Sequence, residues 1–243
     1  MNYSRLSLLL IVSVMLTFAI SACDTLFPNM EGSDDEFPDS QGEIRMYSLL
    51  EGRTVDFGIG DRMVFSDAAF KEMTDYEKVS VGQRLTNLLD SETGDTLFSE
   101  RTNFIEFDRR YNMYAFEDDA DSLILRAVEN DDIVDPEGRS RIRIFNAFKH
   151  SPTLDVYFTN GDDIEDAIPA FVEVDFNNNP QQELVRYEPI DPGDATMTLT
   201  ESGTTDIVYQ ADVDLEAETS FTVLLLEGDE DGTPSDHTLL EDN

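Results

Sequence analysis

Apolar and polar residues alternate along most of this chain with a period of two, the pattern of a strand that buries one face. Val55, Phe57 and Ile59 alternate with Asp56 and Gly58, and Leu154, Val156 and Phe158 alternate with Asp155 and Tyr157. The same reading predicts strands at 44–49, 84–89, 96–99, 111–116 and 122–128. It predicts a second set at 141–148, 171–174, 195–200, 207–211, 220–226 and 238–240. Turn-forming clusters such as Thr93-Gly94-Asp95, Asn160-Gly161-Asp162 and Pro192-Gly193-Asp194 separate them. Only Asp67 to Tyr76 is expected to hold a short turn of helix. Strands this short and this dense imply an all-β protein built from β-sandwiches.

The two sets are copies of each other. Ile44-Arg45-Met46-Tyr47, Thr54-Val55-Asp56-Phe57 and Tyr76-Glu77-Lys78-Val79 with Gly82 recur as Ile142-Arg143-Ile144-Phe145, Thr153-Leu154-Asp155-Val156 and Tyr187-Glu188-Pro189-Ile190 with Gly193. The offset grows from 155 − 56 = 99 at the aspartates to 187 − 76 = 111 at the tyrosines, so the second copy carries twelve extra residues. They are expected within Phe171 to Glu183. The asparagine-rich stretch Phe176-Asn177-Asn178-Asn179-Pro180 is where a specific contact of the second copy is expected. A period near one hundred gives each copy room for its own core. The sequence thus divides into 1–22, 23–42, a first sandwich at 43–131 and a second at 139–243, joined through Pro136 and Gly138.

The first 22 residues read as an address. Leu6 to Ile20 is an apolar run of fifteen residues after a short segment with one arginine, shorter than the roughly eighteen of a spanning helix, and small residues follow it. Ile20-Ser21-Ala22-Cys23 resembles the lipobox of bacterial lipoproteins, which implies cleavage before Cys23 and acylation of its thiol and new amino terminus. Two or more acyl chains hold a protein on a bilayer stably. Asp24 to Gly42, with Asp34-Asp35-Glu36 and two prolines, has too little apolar content to offset chain entropy and reads as an acidic tether. The expected location is the cell envelope after export, at the outer membrane; an Asp after the lipidated Cys resembles an inner-membrane retention signal in some enteric bacteria. Cys23 is the single cysteine, so no intramolecular disulfide can form.

Charge narrows the partners. Lys plus Arg number 16 against 53 Asp plus Glu, and removing 1–22, with one Arg and no acid, leaves 15 − 53 = −38. Such a surface repels nucleic acid and anionic head groups. The acids are spread evenly, which resembles the proteins of salt-loving organisms, where about 1 M salt shortens the Debye length to roughly 3 Å.

Arg143-Ile144-Phe145-Asn146-Ala147, Ser151-Pro152, Leu154-Asp155-Val156-Tyr157 and Asn160-Gly161 resemble the domain of unknown function family 4397. Tyr187, Ile190, Pro192-Gly193 and the segment Leu215 to Val223 continue the resemblance through the second copy. The first copy is more divergent, with Ser48-Leu49-Leu50-Glu51 at the family's loop. The resemblance implies two tandem immunoglobulin-like β-sandwich domains on an exported bacterial protein, and no established activity.

Candidate chemistry is sparse. Asp56 and Asp155 point away from the core and are expected to accept hydrogen bonds from a neighbouring loop. Gly82 and Gly193 are expected at positive φ. Tyr76 and Tyr187 are each expected to open a strand, bury their rings and bond backbone through their hydroxyls. His150 and His237 stand apart, and the motifs of triad, zinc and nucleotide chemistry are absent from the sequence. Glu227, Asp229 and Asp231, with Asp236 beyond, resemble the start of a calcium loop, although Thr238 stands where a bidentate Glu closes such loops. A solvated acidic hairpin is the competing reading. The sequence favours a non-catalytic binding or structural module that meets an envelope protein or glycan through loops or a strand edge. An envelope hydrolase using paired carboxylates and a calcium-dependent adhesion module are the alternatives.

If the acidic excess is an adaptation to salt, the melting temperature rises between dilute buffer and molar sodium chloride. A melting point unchanged over that range by calorimetry rejects it.

Overall fold

The structure, a computed structural model, describes residues 40–118, 120–130, 133–161, 163–177, 186–227 and 234–242; the side chains of 102–104, 227 and 234–235 lie outside what is described. The expected signal peptide and nearly all of the expected tether therefore fall outside it. Sixteen strands and no helix are present among the described residues. The first eight are β1 (Gln41–Ser48), β2 (Val55–Ile59), β3 (Arg62–Ala68), β4 (Glu77–Ser80), β5 (Gly82–Asp90), β6 (Thr96–Ile105), β7 (Arg110–Glu117) and β8 (Leu123–Asn130). The second eight are β9 (Ser140–Asn146), β10 (Leu154–Thr159), β11 (Phe171–Val174), β12 (Glu188–Ile190), β13 (Gly193–Glu201), β14 (Ile207–Leu215), β15 (Ser220–Glu227) and β16 (Pro234–Glu241).

Pairing shows that the repeated sequence is a repeated fold. The first eight strands form sheets in the orders β4-β1-β7-β8 and β3-β2-β5-β6; adding eight to each label gives the other two, β12-β9-β15-β16 and β11-β10-β13-β14. Even the parallel pair is reproduced, β1 with β7 and β9 with β15, while the other pairs are antiparallel. Each unit is a sandwich of two four-stranded sheets with its own core. Ile44, Met46, Val55, Phe57, Leu88 and Met113 fill the first; Ile142, Ile144, Leu154, Val156, Leu199 and Val223 fill the second.

Alternation then does a second job. In β1, β7, β9 and β15 the residues between the core positions are buried too, because these two sheets lie against each other. Tyr47, Tyr114, Phe116 and Val128 meet Phe145, Leu224, Leu226 and Leu240 in a third core between the sandwiches. The molecule is four sheets deep, and its two inner sheets are covered on both faces.

Several expectations change. β3 went unpredicted because its register shifts against β2 between Phe57 and Gly58, which puts Met63, Val64 and Phe65 in a run without alternation. β4 and β12, the strands expected to open at Tyr76 and Tyr187, begin one residue later and span only four and three residues. The helical turn expected over Asp67 to Tyr76 does not form: β3 runs to Ala68, Phe70 and Met73 bridge to Ser48 and Tyr47, and Asp67 and Lys71 hold φ of 54° and 59°, outside the right-handed helical region. Gly42 lies in β1, not in the tether, and a Cβ there would meet Glu106 O and Ile105 Cγ2 at 2.6 Å.

The twelve extra residues are divided rather than confined to Phe171–Glu183. Asp67 and Glu173 are equivalent, each donating its amide to the repeated aspartate. The offsets are then 99 at Asp56/Asp155, 173 − 67 = 106, and 111 at the tyrosines. Seven extra residues (106 − 99) enter the β10–β11 connection and five (111 − 106) follow β11.

Phe145 is fully enclosed, with Tyr114 at 4.8 Å and Phe116 at 5.4 Å between ring centroids. Phe145→Ala is expected to cost about 3–5 kcal/mol in urea unfolding. The unmodified chain is expected to unfold in a single transition by near- and far-ultraviolet circular dichroism alike; two separated transitions reject a coupled pair of sandwiches.

Candidate functional site

The repeated landmarks behave as pieces of architecture. Asp155 accepts the amides of Glu173 (2.9 Å) and Gly203 (3.0 Å), and Asp56 accepts the Asp67 amide (2.9 Å) and the Ser91 hydroxyl (2.7 Å). Glu173 and Asp67 both hold φ of 54°, so each carboxylate pins a strained residue of the edge strand beside it. Burial pushes the Asp155 carboxyl up, but its hydrogen bonds from Gly203, Glu173 and Ser202 together hold it below the usual carboxylate range. Gly82 and Gly193 have φ of 99° and 112°, which a side chain would strain.

The largest assembly of polar groups lies between the sandwiches, and the sequence reading did not single it out. Arg143 and Asp242 are both wholly buried there. The Asp242 carboxylate accepts from Thr222 Oγ1 (2.6 Å), Asn112 Nδ2 (2.7 Å) and Tyr187 Oη (2.9 Å). Arg143 Nη2 lies 3.3 Å away, and Arg45 Nη2 3.5 Å away on the other oxygen. Arg143 spends its other donors on Thr222 Oγ1 (2.6 Å), Glu129 O (2.6 Å) and Asn130 Oδ1 (2.5 Å).

These contacts follow an internal two-fold axis. Arg45 of the first copy reaches across to Asp242 and the Glu241 carbonyl, and Arg143 of the second reaches back to Asn130 and the Glu129 carbonyl. Asn130 and Asp242 occupy the same place in their sandwiches, Asn130 as the last residue of β8 opposite Arg110 of β7 and Asp242 just beyond β16 opposite Ser220 of β15. Each arginine lies over its own copy's tyrosine, Arg45 over Tyr76 at 4.7 Å and Arg143 over Tyr187 at 4.8 Å. At the far end of the seam Lys71 Nζ meets Asp236 Oδ2 at 2.7 Å, while Asn177, the equivalent of Lys71, accepts from Arg126 Nη2 at 2.9 Å.

The electrostatics are those of a sealed joint. Burial pushes Tyr114 up to about 12 and raises Tyr187 further, the Asp242 carboxylate adding to it in both. Burial alone lowers Arg143, but Asp242 and the surrounding tyrosines outweigh it and the guanidinium stays charged. With both carboxylate oxygens engaged and the arginine enclosed, this network can orient and clamp, but it offers no group to a substrate in solution.

Of the predicted site residues, only Asp236 has a described side chain. Cys23, Asp229 and Asp231 lie outside the described residues, as does the side chain of Glu227. Asp236 sits in β16, where Lys71, by hydrogen bond and charge, holds its carboxyl below the usual range. No group of three or more His, Cys, Asp or Glu side chains is placed to hold a metal among the described residues. His237 faces Tyr209, with Nδ1 2.8 Å from the hydroxyl, and burial lowers its pKa. The hydroxyls of Tyr76 and Tyr187 meet side chains, Asn130 and Asp242, instead of the backbone expected. Of the asparagine-rich stretch, Phe176 packs edge-on against Phe116 of the first copy at 6.0 Å and Asn177 takes the Arg126 bond.

The family model described as domain of unknown function DUF4397 matches residues 42–157, just under half of the chain. The match covers the first sandwich and continues into β10, whereas the sequence resemblance was drawn most fully in the second copy; both copies carry the same eight-strand order. No curated protein matches the chain. Among solved structures, a family 41 carbohydrate-binding module from a streptococcal virulence factor, described for alpha-glucan recognition, is 12% identical over 75% of this chain and 93% of its own, with a TM-score of 0.27. A family 26 carbohydrate-binding module from Eubacterium rectale Amy13K, solved with maltoheptaose, is 12% identical over 82% and 96%, with a TM-score of 0.23. At such TM-scores neither likeness bears on what this chain binds.

Arg143→Met leaves the Asp242 charge without its enclosed partner and is expected to cost about 3–5 kcal/mol in urea unfolding, with Arg143→Met/Asp242→Leu recovering a large part. A cost below about 1 kcal/mol for the single change rejects the pair as the clamp of the seam.

Proposed function

We propose that this chain is a non-catalytic module of the cell envelope, held on the outer membrane by acyl chains on Cys23 and presenting two immunoglobulin-like sandwiches as one body. The observation that carries the reading is the sealed seam. The chain encloses Arg143, Asp242, Tyr114 and Tyr187 to fasten its two copies side by side. Such groups, buried and mutually satisfied, serve rigidity and register rather than turnover. Each sandwich has eight strands in two sheets of four, one more than the seven of the constant immunoglobulin domain. In this reading the loops at the end farthest from the anchor meet an envelope protein or glycan, and the acid-rich surface keeps the module soluble in concentrated salt.

Two measurements test the proposal. In cells making the full chain, the protein stays with membranes through a molar salt wash and is released by detergent, while Cys23→Ser moves it to the soluble fraction; release of the unmodified chain by salt alone overturns the anchor. Incubated with insoluble envelope polysaccharide in molar sodium chloride, the mature chain is retained and frees no soluble sugar. Sugar release places the chain among hydrolases instead.

A further inference from the structure

Both sandwiches point the same way. Arg45 meets the end of β16 and Arg143 meets the end of β8, so the ends at which β1 and β9 begin coincide. The chain enters from Ser40 at this end. Here also lie the β6–β7 turn, the connection between the sandwiches and the β10–β11 connection, since β6, β8 and β10 all finish here.

Exposed large apolar side chains gather in those loops: Phe107 is 62% exposed, Ile133 62%, Val134 54% and Ile168 89%. Single exposed apolar residues are ordinary on a soluble protein. These four occupy three separate loops at one end. They are also carried on fixed backbone: Asp108 N donates to Gln41 O at 2.9 Å beneath Phe107, and Arg141 Nη1 donates to Ile133 O at 2.5 Å. The turns at the opposite end carry Glu92, Asp95, Asp118, Asp121 and Asp206, and the exposed apolar side chains there, Phe70 at 36% and Ile207 at 51%, are fewer.

We infer that this end is a lipid-contacting surface, with Phe107, Ile133, Val134 and Ile168 seated in the head-group region of the bilayer that holds the acylated Cys23. The inference rests on the lipid-anchor reading above, which supplies the occupant. Residues 24–39 number 39 − 24 + 1 = 16 and join the described chain at this end, so an anchor at Cys23 connects here and not at the opposite end. Glu106, Asp108, Asp135 and Glu137 flank the apolar residues, so the fitting surface is zwitterionic, and the contact strengthens in salt that screens these acids. Apolar side chains at such a depth orient a tethered body and add to the hold of the acyl chains.

The chain has no tryptophan and a single cysteine, which gives a direct test with the mature protein. Coupled through Cys23 to maleimide-lipid vesicles of phosphatidylcholine in molar sodium chloride, Phe107→Trp and Ile133→Trp are expected to show blue-shifted emission and roughly twofold quenching by bromines near the head groups, the depth of an interfacial side chain. Phe70→Trp, beyond β3, is expected to show neither. Unchanged emission from both Phe107→Trp and Ile133→Trp, in chains whose circular dichroism matches the parent, overturns the inference, as does equal quenching of Phe70→Trp. Replacing half of the lipid by phosphatidylglycerol in dilute buffer is expected to weaken the quenching, and stronger quenching there contradicts the zwitterionic assignment. Because capture is chemical, a negative result condemns this surface without touching the acylation of Cys23, and the fractionation of Cys23→Ser tests acylation without involving this surface.

Discussion

One carboxylate organises the middle of this molecule. Asp242 collects hydrogen bonds from both sandwiches, Asn112 from the first and Thr222 and Tyr187 from the second, with Arg45 and Arg143 closing on it from opposite copies. A buried charge is costly unless paired and fully hydrogen-bonded, so Asp242 tolerates a narrow range of geometries. The apolar seam around it, from Tyr47 and Phe145 to Leu240, supplies the adhesion, while the polar network supplies the register. Sliding one sandwich along the other would move apolar residues onto apolar residues at little cost, but it would strand Asp242 and Arg143.

The seam is isologous in plan and unequal in charge. Equivalent positions meet equivalent positions, as in a two-fold dimer, yet the place held by Asp242 in the second copy is held by Asn130 in the first. Two arginines therefore share one carboxylate, and the backbone carbonyls of Glu129 and Glu241, with the side chains of Asn112, Thr222 and Asn130, accept from their other donors. Two first copies facing each other would enclose two arginines and no acid. The inequality makes first-with-second pairing better compensated than first-with-first.

Much of this was legible in the sequence, because period-two alternation and the recurring Asp, Tyr and Gly landmarks are local signals. The all-β class, the duplication, the positive φ of Gly82 and Gly193 and the loop-pinning role of Asp56 and Asp155 could all be read along the chain. β3 was hidden by a bulge. The seam was missed for a different reason. Arg45 and Arg143 alternate with core residues as solvent-facing residues do, and only the stacking of the two inner sheets turns that face inward. One signal was available: an arginine kept at the same outward position in both tetrapeptides, next to an aromatic, Tyr47 or Phe145, too large for an open surface. The expectations of a calcium loop or acidic hairpin from Glu227 to Asp231 and of acylation at Cys23 rest on sequence alone.

The covalent connection through Pro136 has a consequence for how firm the seam must be. Two free sandwiches meeting through this face would have to assemble from dilution, and the share of molecules paired would follow their abundance. Joined by fewer than ten residues between Asn130 and Ser140, each copy confronts the other at an effective concentration of roughly millimolar order whatever the amount of protein present. The seam can carry an unmatched arginine and still stay closed, so the joint is freed from dose, and a scarce protein behaves as the same paired unit as an abundant one.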